Sequence, residues 1–295
     1  MTHPRIAARD EAIYTALAAV ASEVTRSGSS GWRFTLPNGA PHVVTAKTDG
    51  DWLLLAAHCS GVARRPEFFR GALVRNATLA GFAKVVLTPE SSPQVHAELP
   101  VLEEVNLAAR VRETCSGFEA VWLHKDDYSA PAASPASDAE SVDLKLLCSE
   151  AGWPFTERGG GKLAVELEVR GGFWQALLVP AERGVRISCE VATLEALPEE
   201  CRQAIGGLLL AAAGLVRLGR AAVIAQGTSS MAQFEVVFET APSPSEISSA
   251  LESLSVGCSL CGEEIKTLQV PAVAERYLTL RGWGARPRAG EMKGQ

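Results

Sequence analysis

Strict alternation of apolar and polar residues marks the second half of the chain most clearly. In residues 162–170, Leu163, Val165, Leu167 and Val169 fall on one side, and Lys162, Ala164, Glu166, Glu168 and Arg170 on the other. Residues 184–191 repeat the pattern, with Val185, Ile187, Cys189 and Val191 opposed to Arg186, Ser188 and Glu190. Residues 233–239 place Phe234, Val236 and Phe238 on a common side. A two-residue period predicts half-buried strands. One wet and one dry face point to antiparallel sheets with helices on the dry side only.

Between these stretches the period lengthens to that of a helix. After Pro198, Ile205, Leu208, Leu209, Ala212 and Leu215 recur at three and four, and Glu199 and Glu200 suit the positive end of a helix dipole. A second helix is predicted from Ser243 or Ser245 through Ile247, Leu251 and Leu254. Pro271 is expected to break or restart the helix that follows.

The first half can be laid beneath the second. Gly-Trp-x-Phe occurs at Gly31–Phe34 and at Gly152–Phe155, and Pro-Glu at Pro66 and at Pro198. Phe82 aligns with Leu218, Val95 with Phe234, and Cys115-Ser116 with Cys258-Ser259. The order is kept and the offset only grows, as expected of a duplicated unit whose loops have lengthened. Trp32, Phe34, Trp153 and Phe155 are then expected core anchors. Residues 126–140, rich in Ser, Ala, Pro and Asp, read as an exposed linker between units 1–125 and 141–281. Residues 282–295, rich in Gly and Arg, read as a flexible tail.

Each unit is expected to run helix, three strands, helix, two strands, helix. This order, with the two Gly-Trp-x-Phe motifs, the Pro-Glu helix starts and the closing Ser-Ala-Leu-Glu-Ser-Leu helix, resembles the type III secretion chaperone-like fold, including YbjN-type domains. The resemblance implies an α+β protein of two similar domains, each an antiparallel sheet with helices on one face, arranged as a pseudo-dimer within one chain. Proteins of that kind hold extended segments of client proteins, so the function implied is non-catalytic binding of a protein or peptide.

Composition narrows the partners. The chain has 295 residues, 47% of them hydrophobic, and a net charge of −6. The acidity argues against nucleic acid, which wants a basic footprint, and against anionic lipid. No secretory leader is legible at the N-terminus, and the most apolar run, Ile205–Val216, falls short of a membrane span of about 20 residues. A cytoplasmic monomer is expected. Seven cysteines, an odd number, suit free thiols better than a disulfide framework.

Catalytic chemistry finds little support. All five histidines (His3, His42, His58, His96 and His124) lie in the first half, so no duplicated His site exists. In His58-Cys59, strand neighbours point to opposite faces, away from the geometry a thiol and its base require. Cys258-x-x-Cys261 has no second pair to complete a structural zinc site, and it follows a helix rather than a strand, so it reads as two small apolar residues at a helix–helix turn. The Gly159–Gly161 run fails the phosphate-loop pattern, since Thr156 stands where Gly and Leu163 where Ser or Thr is required. No catalytic residue, metal or cofactor is expected. The rival readings are an adaptor without a client groove and, more remotely, a thiol or metal enzyme built on Cys258 and Cys261.

Two strands look apolar on both sides. Phe173, Gln175 and Leu177 oppose Trp174, Ala176 and Leu178; Trp52 and Leu54 oppose Leu53 and Leu55. A strand dry on both faces is central or covered by something else. Packing of one copy's sheet on the other's is the economical cover, and a client the alternative. Trp52, Phe173 and Trp174 are therefore the candidate partner-binding residues.

Overall fold

In the computed structural model, two six-stranded antiparallel sheets share one strand order. The residues described are 4–37, 43–59, 66–123, 142–169, 172–181, 184–226 and 229–283. The linker expected at 126–140 lies outside them, as do His3, His42 and His124. The first unit contains α1 (Pro4–Ala18), β1 (Glu23–Arg26), β2 (Gly31–Thr35), β3 (Val43–Asp49), β4 (Trp52–His58), α2 (Pro66–Asn76), β5 (Lys84–Leu87), β6 (Pro93–Pro100) and α3 (Leu107–Leu123). The second contains α4 (Leu144–Glu150), β7 (Thr156–Arg158), β8 (Lys162–Val169), β9 (Gly172–Pro180), β10 (Val185–Thr193), α5 (Glu199–Ala213), β11 (Arg220–Gln226), β12 (Ser229–Phe238), α6 (Pro244–Leu268) and α7 (Pro271–Leu280).

The orders are β1-β2-β3-β4-β6-β5 and β7-β8-β9-β10-β12-β11. The two units thus share one topology. Each unit carries four strands before its middle helix rather than three. The additional ones, β1 and β7, are short, exposed edge strands with no apolar alternation to announce them.

Two of the five aligned motifs do not fall on equivalent positions. Trp32 and Phe34 lie within β2, buried at 1% and 2% exposure. Trp153 and Phe155 precede β7 and are half-buried, Trp153 donating from Nε1 to Ser248 Oγ at 3.0 Å. Cys115 sits about two turns into α3, Cys258 about four turns into α6. The remaining three matches fall on equivalent elements: the starts of α2 and α5, the approaches to β5 and β11, and the buried partners Val95 and Phe234.

Alternation places the core. Leu53, Leu55, Ala57, Val95, Ala97 and Leu99 line the inner face of the first sheet, and Leu163, Val165, Leu167, Ala176, Leu178, Ile187 and Cys189 that of the second. Helix α6 begins with a full capping box: Glu246 N donates to Ser243 Oγ, and Ser243 N to Glu246 Oε2. It ends at Leu268, and Pro271 opens α7, as its ring geometry favours.

The units join through α2 and α5 and through the edge strands β5 and β11, not by stacking sheet on sheet. Equivalent residues Lys84 and Arg220 open those edge strands, and both are buried. Lys84 Nζ meets Glu98 Oε2 at 2.7 Å and donates to Val216 O and, at 3.1 Å, to Gly219 O. Arg220 Nε donates to Glu235 Oε1 at 2.9 Å, and its Nη1 to Leu79 O at 2.6 Å and Gly81 O at 3.3 Å. Each cation pairs with a carboxylate of its own sheet and binds the loop preceding the other unit's edge strand. That reciprocity is what a two-fold interface requires.

A third buried pair crosses the same seam. Arg110 on α3 meets Glu246 at the start of α6 at 2.8 Å, stacks on Phe82 and Phe238, and donates to Thr240 Oγ1 at 2.8 Å. Helices α2 and α5 come close because Gly206 and Gly207 present no side chain. A Cβ on Gly207 would stand 2.4 Å from the Trp283 ring and 3.1 Å from Phe69.

Trp283, at the head of the stretch expected to be a flexible tail, is buried at 2% exposure. It makes edge contacts with Phe69 at 4.9 Å and Tyr277 at 5.9 Å. Packing therefore continues at least to Trp283, because an indole facing a glycine-lined gap is held by the surface it removes from water.

Removing one member of a buried charge pair strands the other. Arg220→Met is expected to lower unfolding free energy by about 3–5 kcal/mol in urea titrations. Trp283→Ala is expected to cost a similar ~3–5 kcal/mol, where a flexible tail would cost nothing.

Candidate functional site

The three aromatic candidates have three different environments. Trp52, at the start of β4, lies on the outer face of the first sheet, opposite Leu53 and Leu55. It is half-buried because the second unit covers it: the Arg217 guanidinium sits 5.0 Å from the ring centroid and pairs with Asp49 at 2.7 Å. Trp52 is thus a contact between the units.

Trp174 points inward from β9, on the same side as the buried Ala176 and Leu178. Its ring lies against α6 at Gly262, where a Cβ would approach Cζ2 to 3.1 Å. Glycine at that position lets the half-buried indole lie over the helix, so Trp174 belongs to its own unit's core.

Phe173 is the one that stays outside. It is 72% exposed, on the outer face of the second sheet, paired in register with Glu168. Gln175, Leu177 and Val179 follow it along the same face, and Ala164, Glu166 and Glu168 lie beside them on β8. Among the described residues nothing covers Phe173. An apolar ring left in water amid a sheet face is the feature that calls for a partner.

Polar groups on the outer face of the first sheet form a row leading to the interface. His96 Nε2 lies 2.7 Å from Gln94 Oε1, and Gln94 Nε2 lies 3.4 Å from His58 Nδ1. His96 also faces Lys84 in register. Burial, with smaller contributions from Lys84 and His58, pushes the His96 pKa down to about 4. Neighbouring Cys59 is pushed up to about 12 by burial, so the adjacent His58-Cys59 pair offers no thiolate.

The Cys258-x-x-Cys261 pair lies inside α6, not at a helix–helix turn. Spaced by three, both thiols fall on the buried side. Cys258 Sγ is 3.4 Å from Cys189 Sγ of β10, and Cys261 Sγ donates to Gly257 O at 3.0 Å. Burial pushes Cys261 up to about 12; the hydrogen bond to Cys189, then burial, raises Cys258. Such thiols behave as small apolar side chains rather than nucleophiles. Among the described residues no three His, Cys, Asp or Glu side chains cluster as metal ligands would.

A cleft of about 60 Å³ lies between the units, lined by Arg70 and Leu73 of α2 and by Glu199, Arg202 and Gln203 of α5. Glu199 already accepts from Arg202 and Gln203. The space is small beside the ~300–1,000 Å³ that metabolite sites occupy. No helix among the described residues is long and apolar enough to cross a membrane.

Compared with known proteins, the chain matches no family model, no curated protein and no solved structure.

Phe173→Ser should leave the unfolding free energy unchanged within about 0.5 kcal/mol, and Trp174→Ala should cost about 1–3 kcal/mol; urea melts of both variants check this. The pH dependence follows from His96. Its folded-state pKa lies below the ordinary 6.5, so unfolding takes up a proton between those values. Stability is full above about pH 6.5 and falls as the pH drops toward 4, by about 1–3 kcal/mol from this group. His96→Gln should flatten that slope in thermal melts.

Proposed function

We propose that the protein is a non-catalytic, chaperone-like binder of a protein or peptide segment, and that the segment lies on the outer face of the second sheet around Phe173. The exposure of Phe173 carries this reading. The same sheet buries Leu163, Val165, Leu167 and Leu178 on its inner side, toward α4 and α6, and the first unit's outer-face Trp52 is covered by Arg217. A strand face offering Phe173, Leu177 and Val179, with polar Gln175 among them, suits an extended chain whose own side chains alternate at the strand period. The internal two-fold supports the resemblance to secretion chaperones, and the single chain supplies both halves of such a pair without a second copy.

The buried thiols of Cys258 and Cys261, with pKa values pushed up, favour this reading over a thiol or metal enzyme. An adaptor that binds through another surface is the remaining alternative, and the two separate on Phe173.

An array of immobilised peptides, probed with the wild type and with Phe173→Ser, is the test. Wild type is expected to retain a set of peptides that the variant releases, the two having equal unfolding midpoints. Identical retention by both, or retention of none, removes the reading.

A further inference from the structure

The outer face of the second sheet carries both signs of charge, and the two signs lie at opposite ends. Along β9 this face reads Phe173, Gln175, Leu177 and Val179. Glu168 stands beside Phe173, and Glu166 beside Gln175. At the other end Arg186 stands beside Val179, and Lys162 opens β8 in register with Arg158 of β7. Two of these cations are engaged within the chain: Arg186 pairs with Glu235 at 3.2 Å, and Arg158 crosses β8 to donate to Gln175 at 3.3 Å. Lys162, Glu166 and Glu168 are exposed and make no ion pair among the described residues. Lys162 and Glu168 stand about 20 Å apart along one strand, too far to meet within the chain.

This spacing has a two-fold solution. A half-turn about an axis that crosses β8 and β9 midway along the face lays each strand over its counterpart in a second copy, running the opposite way. On β9 the operation exchanges position 173 with 179 and 175 with 177; on β8 it exchanges 162 with 168 and 164 with 166. Phe173 of one copy then stands over Val179 of the other, and Lys162 over Glu168, each contact made twice. Glu166 falls over the buried Ala164, beside which Arg158 crosses. On β8 and β9 no like charges are opposed.

We propose that a second copy of this chain covers the face by stacking its own β7–β10 surface on it, and that a client takes the face only by displacing that copy. The inference rests on the reading of this surface as a binding face and adds what controls access to it. Four strands about 4.8 Å apart, each contributing about eight residues at about 3.4 Å, give a face of about 500 Å², so two copies bury about 1,000 Å². A contact of that size lies at the low end of specific interfaces and is held weakly enough to be exchanged. The expected state is therefore a dissociable dimer, in place of the monomer expected from composition and the internal pairing of units.

The test is sedimentation of the full chain at rising concentration. Wild type is expected to pass from monomer to dimer with a dissociation constant on the order of 10–100 μM. Phe173→Ser, Lys162→Glu and Glu168→Lys should each weaken association by about tenfold or more, at unchanged unfolding free energy. The double swap Lys162→Glu/Glu168→Lys should restore it, because the exchanged charges meet only across the two-fold. If a swap impairs folding, Lys162→Gln and Glu168→Gln take the place of the single variants.

A wild type that stays monomeric through that range, a dimer indifferent to Phe173, or a double swap no better than the single ones would overturn the proposal. The peptide array separates this failure from that of the binding reading. Lys162→Glu keeps Phe173 and, freed of the second copy, is expected to retain array peptides at least as well as wild type. Peptides retained through Phe173 by a monomeric wild type would remove the second copy and leave the client. A Phe173-dependent dimer whose Lys162→Glu variant retains no peptide would remove the client and leave the face to the second copy alone.

Discussion

Two buried cations, each held by a carboxylate of its own sheet and by carbonyl oxygens of the other unit, are the constraint on which this architecture rests. Lys84 and Arg220 open the two edge strands, and their charge cannot stay in a dry seam unless every donor is met. Glu98 and Glu235 supply the opposite charge; the loops at Leu79–Ala83 and Val216–Gly219 supply the oxygens. Burial lowers the Lys84 pKa, and Glu98 opposes that shift. Because each loop is held by the other unit's cation, neither edge strand can shift without breaking contacts on both sides.

The rest of the seam follows from that fixed approach. Asn76 at the end of α2 donates to Val85 O at 3.0 Å and Ala221 O at 2.8 Å, one carbonyl on each edge strand. Gly206 and Gly207 let α2 and Trp283 come close to α5, and Arg110 joins α3 to the start of α6. These contacts close the edges β5 and β11, which would otherwise present unpaired backbone to other chains. Edges β1 and β7, at the far ends, are short and exposed.

A seam so closely specified leaves the outer faces free to differ. Polar substitution on the solvent side of a strand costs little, whereas a change at Lys84, Arg220 or Gly207 disturbs several partners at once. The two units accordingly share a strand order and an inward pattern but differ in the residues they expose outside. Trp52, Phe173 and Trp174 show how position alone assigns a role: one aromatic residue is roofed by an arginine, one is laid on a glycine and one is left in water.

Periodicity along the chain was enough to determine the fold class, the strands β8, β10 and β12, the start of α6 at Ser243 or Ser245 and its break before Pro271, because each depends on neighbours within a few residues. The presence of two similar units was legible too, although Gly-Trp-x-Phe and the paired cysteines suggested it through positions that are not equivalent. Short edge strands β1 and β7 were not legible, since three or four exposed residues carry no alternation. Nor was the role of Trp283, whose composition resembles a tail and whose burial depends on a gap made by Gly207 far away in sequence. On β9, alternation divided Phe173 from Trp174 without saying which side was inward. Only the tertiary structure decided that, by placing α6 over one face: burial depends on what arrives from elsewhere in the chain, and a strand's own sequence records only that its two sides differ.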